Sequence, residues 1–225
     1  MAITTTDSAL LRLLQLSSAA LPVGGYSFSQ GLEYAIDDAW LSDQLAVKDW
    51  LSLQLSESLA CVDLPLLFRQ INAAKQQDMS AMVYWNDYAL ACRETAELRL
   101  TDTAMGRALI KLMEKLELPI TMPTLNEVSF VTAFALAAEH WGIEVRAASH
   151  GYCWSWLENQ VAAATKLVPL GQTSAQQLLG ELMEDIPQAV EHAAAVVDEH
   201  IGASLPALAM ASASHETQYS RLFRS

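Results

Sequence analysis

The chain has 225 residues and a formal net charge of −13, which makes duplex or single-stranded nucleic acid a poor partner. Hydrophobic residues are 52% and charged residues only 17%, so the chain buries a sizeable core or hands apolar surface to partners. Alanine and leucine dominate, with few Gly, Pro or β-branched runs; this argues against a sheet-rich fold and predicts an all-α, single-domain multi-helix bundle.

Helix follows helix along the chain. Asp7 can cap a first one carrying Leu10, Leu13 and Leu14, and Leu21-Pro22-Val23-Gly24-Gly25 ends it. A short second helix is predicted over residues 30–39. The third starts after Ser42 or Asp43 and places Val47, Trp50, Leu51, Leu55 and Leu59 on one face. Asp63 and Pro65 open the next, because proline is tolerated in a first turn. Another helix is predicted over residues 79–97.

Met105, Leu109, Leu112, Met113 and Leu116 form an amphipathic stripe that Pro119 and Pro123 terminate. Asn126 caps a helix running to Trp141, and Gly142 ends it. An alanine-rich helix, apolar nearly all round, follows over residues 147–167, with a candidate break at Gly151; such a helix belongs at the centre of a bundle. Pro169 and Gly171 terminate it. A last long helix carries Leu179, Leu182, Met183, Ile186, Val190, Ala193, Val197 and Ile201 on one stripe, with a kink expected at Pro187. No repeat period or low-complexity linker divides the chain.

Charge and cysteine usage add two expectations. Residues 167–220 contain no Lys or Arg but include Glu181, Glu184, Asp185, Glu191, Asp198 and Glu199, either a surface that steers a basic partner or a solvated helix face. Cys61, Cys92 and Cys153 are odd in number and lack CxxC spacing, which suggests reduced thiols in a cytoplasmic setting. The first apolar run contains Arg12 and follows Asp7, unlike a signal peptide. The most apolar run, residues 128–138, falls short of the ~20 residues a spanning helix needs.

Recognisable catalytic chemistry is mostly missing. There is no GxxxxGK[ST] loop, no HExxH and no Glu-x-x-His. Gly25-Tyr26-Ser27-Phe28-Ser29 follows a nucleophile elbow for four positions, then places Ser29 where Gly is required. His192 and His200, on one predicted helix, are separated by ~12 Å of rise, too far to chelate one ion. The histidines are therefore assigned structural or surface roles, and the cysteines read as core thiols. No catalytic, cofactor or metal residue is assigned.

Three segments exceed what a plain bundle needs. Residues 21–33 (LPVGGYSFSQGLE) combine glycines with Tyr26 and Phe28; this could be an ordinary interhelix loop with anchoring aromatics or a recognition element. Asn159 and Lys166 share a helix face across the small Ala163, and the lysine snorkels, finds a partner or lies at an interface. Residues 203–214 read as a small-residue spacer with Pro206 as breaker. They lead to HETQYSRLFRS, where Tyr219, Leu222 and Phe223 stand at near-helical spacing beside Arg221 and Arg224. The expected division is an all-helical domain over residues 1–202 and a flexible spacer with a docking tail over residues 203–225. The competing reading packs the tail onto its own domain.

Together, the blocks LPVGGYSFSQGLE, KLVPLGQTSAQQ (residues 166–177) and HETQYSRLFRS resemble the urease accessory protein UreF family. Cys92-Arg93-Glu94-Thr95 with Glu97-Leu98-Arg99 adds a weaker fourth block; the likeness spans nearly the whole chain, but residues 100–147 are the most variable against the family's pattern and no role is carried over to them. The resemblance implies an all-α, homodimeric, non-enzymatic maturation factor. Its implied partners are the accessory protein UreD (UreH in some systems), the GTPase UreG and apo-urease, in GTP-dependent nickel delivery. GTP hydrolysis would belong to UreG. By the same resemblance, Gly24, Gly25, Tyr26, Ser27, Lys166, Pro169 and Gly171 belong to a partner-facing or dimer-forming surface. His215, Glu216, Tyr219, Arg221, Leu222, Phe223 and Arg224 belong to the tail that engages UreD. The rival readings are a serine-based helical enzyme using Ser27 or Ser29, and a general helical adaptor unrelated to urease.

Overall fold

Helices begin where a short polar side chain can accept an N–H that the first turn leaves without a partner. A computed structural model of the protein, which describes residues 6–225, shows this at α1 (Asp7–Leu16), where Thr6 accepts from the Ala9 N–H. Thr6, not Asp7, is the cap. Asp43 caps α3 (Gln44–Leu53), Asp78 caps α5 (Met79–Ala91) and Thr95 caps α6 (Ala96–Lys115) in the same way. Among the described residues the elements are helices and turns with no strand, the all-α class expected. The short α2 (Leu32–Asp37) falls within the predicted second helix.

Several boundaries differ from the sequence reading. Asp63 and Pro65 do stand at the start of a helical segment, but no break precedes it. From α3 the chain continues through a π-helical stretch (Gln54–Asp63) into α4 (Leu64–Gln76). The Leu64 N–H reaches back five residues to the Leu59 carbonyl, and this wider turn admits a proline that lacks its own N–H. The continuous helix Gln44–Gln76 is long and apolar enough to cross a bilayer by length and composition, yet 61% of its apolar window is buried inside the protein, as in a core helix. The helix expected over residues 79–97 is interrupted at Cys92–Thr95, where Thr95 starts α6.

The bundle centre is α7 (Phe130–His140), not the alanine-rich helix after it. Every residue from Phe130 to Ala138 is buried, against α4, α5, α6 and α8 (Val145–Leu167). Asn126 does not cap α7. Instead Asp102, on α6, accepts the Phe130 N–H at 2.8 Å, and Asn86, on α5, accepts the Ser129 N–H at 3.0 Å. Helix α8 passes through Gly151 unbroken, and the missing side chain there lets α1 cross it closely. A Cβ at Gly151 would lie 2.4 Å from Ser17 Oγ and 2.5 Å from Leu13 Cδ1. Leu13 faces that crossing, whereas Leu10 and Leu14 are exposed rather than core-facing.

The last long helix is also divided. Pro187 lies in the first turn of α10 (Ile186–Ala195), separated from α9 (Gln172–Met183) by a turn at Glu184-Asp185. His200 sits in a later 3-10 turn and so does not share a helix with His192. The segment expected to be a spacer forms α11 (Pro206–His215), with Pro206 in its first turn, and packs on α2 and α6. Residues 201–205, at the boundary drawn at residue 202, are not helical, and Gly202, Ala203 and Ser204 are exposed.

Candidate partner-docking surface

The surface is organised around a buried histidine. His215, at the end of α11, is fully enclosed. Its Nδ1 lies 2.8 Å from Glu97 on α6, and its Nε2 lies 3.0 Å from Glu33 on α2. A neutral imidazole supplies one N–H, so making both contacts hydrogen bonds requires a second proton in the triad. Burial pushes the Glu97 carboxyl above its ordinary range, against the opposing pull of His215 and Arg221.

Glu33 also holds the backbone of the tail. Its two carboxylate oxygens accept the Leu222 N–H at 2.6 Å and the Phe223 N–H at 3.0 Å, charge-assisted bonds in a buried setting. The Arg224 N–H donates to the Ser27 carbonyl at 2.8 Å, and the N–H groups of Ser29 and Gln30 donate to the Ser225 carbonyl. Arg221 reaches Glu97 at 3.1 Å. Lys166 stands 5.2 Å over the Phe223 ring, and the Arg224 guanidinium 5.8 Å from the Phe28 ring, both within cation–π range.

The tail therefore meets Ser27 and Lys166 on one surface and packs on its own domain. Phe223 and His215 are buried anchors, not free plug residues. Tyr219 at 105% and Leu222 at 72% relative exposure point outward, as does Tyr26 at 61%. Glu216, Pro169 and Gly171 are exposed, the latter two at the end of α8 and the start of α9.

The glycine loop is held from beneath. Gly24 has φ +79°, a conformation that L side chains rarely adopt. Gly25 instead is limited by space, since a Cβ there would lie 2.9 Å from the Asn159 amide nitrogen. Under the loop is a cavity of about 100 Å³ bordered by Gly25, Gln30, Asn159 and a buried polar network. In that network Arg93 binds Asp63 at 2.7 Å and Asp102 at 3.1 Å, while the Tyr152 hydroxyl donates to Asp63 at 3.1 Å. Burial works against the Arg93 charge, but Asp102 and Asp63 outweigh it and hold the guanidinium charged. Burial and then Asp63 push the Tyr152 hydroxyl well up. Asp102 thus ties Arg93 to the start of α7, beneath the loop.

Sequence reasoning missed Glu33, Glu97, Asp63, Asp102 and Tyr152 as organisers of this region. Glu33 closes the first quoted block and Glu97 lies in the fourth, so membership of those blocks was the available signal. Ser29 is buried, with its backbone N–H given to the tail, and no described hydrogen bond joins Ser27 or Ser29 to a histidine. Among the described residues no group of three His, Cys, Asp or Glu could hold a metal ion.

The UreF family model matches residues 41–183. Urease accessory protein UreF of Marinomonas sp. (strain MWYL1) is 60% identical over 223 residues, covering 99% of this chain and 97% of the relative. The UreF proteins of Teredinibacter turnerae and Pseudomonas putida (strain W619) are 49% and 45% identical, covering 97% and 98% of this chain and 100% and 99% of their own lengths. The family match stops short of both the glycine loop and the tail, but these full-length alignments extend across nearly the whole chain.

Proposed function

We propose a function from one premise: this chain belongs to the urease accessory protein UreF family. The coarse role is that of a urease accessory protein. In the finer reading it is a non-enzymatic coupler in nickel insertion, joining a UreD-type scaffold and a UreG-type GTPase to apo-urease. It acts as a homodimer in the cytoplasm, a setting that suits its three free thiols. GTP hydrolysis and nickel chemistry belong to the partners. Coupling requires that it bind one nucleotide state of the GTPase more tightly than another.

A single observation carries the docking part of this reading: Tyr219 and Leu222 are displayed outward on a tail that His215 and Phe223 anchor. The backbone that carries these two side chains is fixed by buried neighbours, so binding need not order that stretch of chain. That pattern suits an apolar contact on the scaffold, with Arg224 and Lys166 beside it to meet carboxylates or carbonyls. Co-purification of the UreD-type protein and the UreG-type GTPase with this chain tests the reading. Capture of neither would overturn it in favour of an adaptor unrelated to urease.

A further inference from the structure

Away from the docking surface, the π-helical stretch brings Cys61 against His192 of α10. Cys61 Sγ lies 3.7 Å from His192 Nε2. The same sulfur is 3.6 Å from the Ser56 carbonyl, five residues earlier, so the wide π turn aims the thiol sideways towards α10. His192 is exposed and Cys61 half-buried, which leaves both donors reachable from solvent. Beside them opens a groove of about 320 Å³ whose lining includes Glu57, Asp185 and Gln188. Cys61 is thus not the core thiol that its sequence suggested.

The separation is that of a thiol–imidazole hydrogen bond, and it also leaves the two donors close enough to share one ion. With metal–sulfur and metal–nitrogen bonds of about 2.3 and 2.0–2.1 Å, a tetrahedral ion places its two donors roughly 3.5 Å apart, whereas a square-planar ion places them about 3.1 Å apart. The observed separation of 3.7 Å lies near the tetrahedral value. A thiolate and an imidazole are also the donors a borderline-soft ion selects.

We propose that Cys61 and His192 form an open two-residue site for a tetrahedral divalent cation of the zinc class, with solvent filling the remaining positions. On binding, the Cys61 thiol gives its proton to water as the metal–sulfur bond forms, and neutral His192 donates the Nε2 lone pair. Glu57 and Asp185 add negative potential from the groove wall. Among the described residues no third ligand completes a closed cage, so the ion exchanges rather than serving as a structural staple.

Cobalt(II) titration of the purified, metal-free protein tests the site without any partner, so its failure is separate from that of the docking reading. The wild type is expected to give a thiolate-to-cobalt charge-transfer band with intense tetrahedral d–d bands, bleached by zinc. Cys61→Ser and His192→Ala should each weaken cobalt binding roughly 10-fold or more, the scale seen even for outer-shell partners. Cys92→Ser should leave it unchanged. Circular dichroism confirms that the variants are folded, and His192, being exposed, provides the variant least exposed to misfolding. A wild type without the thiolate band overturns the proposal, as does a folded Cys61→Ser that keeps the band or a His192→Ala with wild-type affinity.

Discussion

His215 Nε2 lies 3.0 Å from the Glu33 carboxylate, across 182 residues of sequence, and the same carboxylate accepts the N–H groups of Leu222 and Phe223. One buried acid thus fixes both the end of α11 and the segment of tail beyond it. Stability and partner binding become separable, because the residues that anchor the tail differ from those it displays.

His215→Ala should be strongly destabilising. It leaves Glu33 and Glu97 facing each other in a buried site without the intervening donor. Leaving a buried hydrogen-bonding group without its partner typically costs about 1–3 kcal/mol, and here two carboxyl groups lose theirs. Denaturant unfolding of the variant measures this; a loss below about 1 kcal/mol would mean that the triad is not closed in solution.

Tyr219→Ala with Leu222→Ala should do the opposite. Both side chains are exposed, and surface substitutions usually stay within about 0.5 kcal/mol of wild-type stability. Affinity for the UreD-type partner should fall, by about 2 kcal/mol for each side chain that fills a pocket. Calorimetric binding alongside a melting curve separates the two effects. Deleting residues 215–225 should abolish binding and also lower the melting temperature, since Phe223 and His215 are core residues.

The pH dependence of Glu97 has a definite sign. Its folded pKa is raised by burial, so its contribution to stability is complete below the unfolded carboxyl value of about 4.3 and is lost as pH rises through the raised folded value. Glu97→Gln removes that titration. Unfolding curves taken from about pH 4 to neutrality should show a smaller decline attributable to this position in the variant than in the wild type. Equal slopes would show that Glu97 titrates normally.

The two loop glycines should fail for different reasons. Gly24→Val meets open space but must adopt positive φ, at a cost of about 1 kcal/mol or more. Gly25→Val meets the Asn159 side chain, so Asn159→Ala should recover part of its loss while leaving the Gly24 variant uncorrected. A double-mutant cycle reads this directly; additivity at the Gly25–Asn159 pair would contradict the contact.

Cys153 should be inert to thiol reagents until the protein unfolds. It is fully buried, and desolvation holds its thiol far above the ordinary range, so almost no thiolate exists near neutral pH. Modification kinetics followed by mass spectrometry of the three cysteines would test this. Labelling of Cys153 as fast as of Cys92 in the native protein would refute it.

Helical class and most helix positions were legible in the sequence because they depend on neighbours three and four residues away. A cap at Ser42 or Asp43, the stripe of Met105, Leu109 and Met113, and the stop after α8 all follow from such local patterns. The odd composition of HETQYSRLFRS was legible for the same reason, but not whether it packed at home or waited for a partner. That choice rests on Glu33 and Glu97 meeting His215 and the tail across 118 to 190 residues, and no periodicity records such pairings. The start of α7 on Asp102, the passage of α8 through Gly151 and the pairing of Cys61 with His192 share this origin. The sequence by itself determined which segments are helical and which side chains are costly to bury. Only the packed bundle decided which of those costs are offset, because a buried charge or a missing Cβ is satisfied by atoms that the fold, not the chain, brings near.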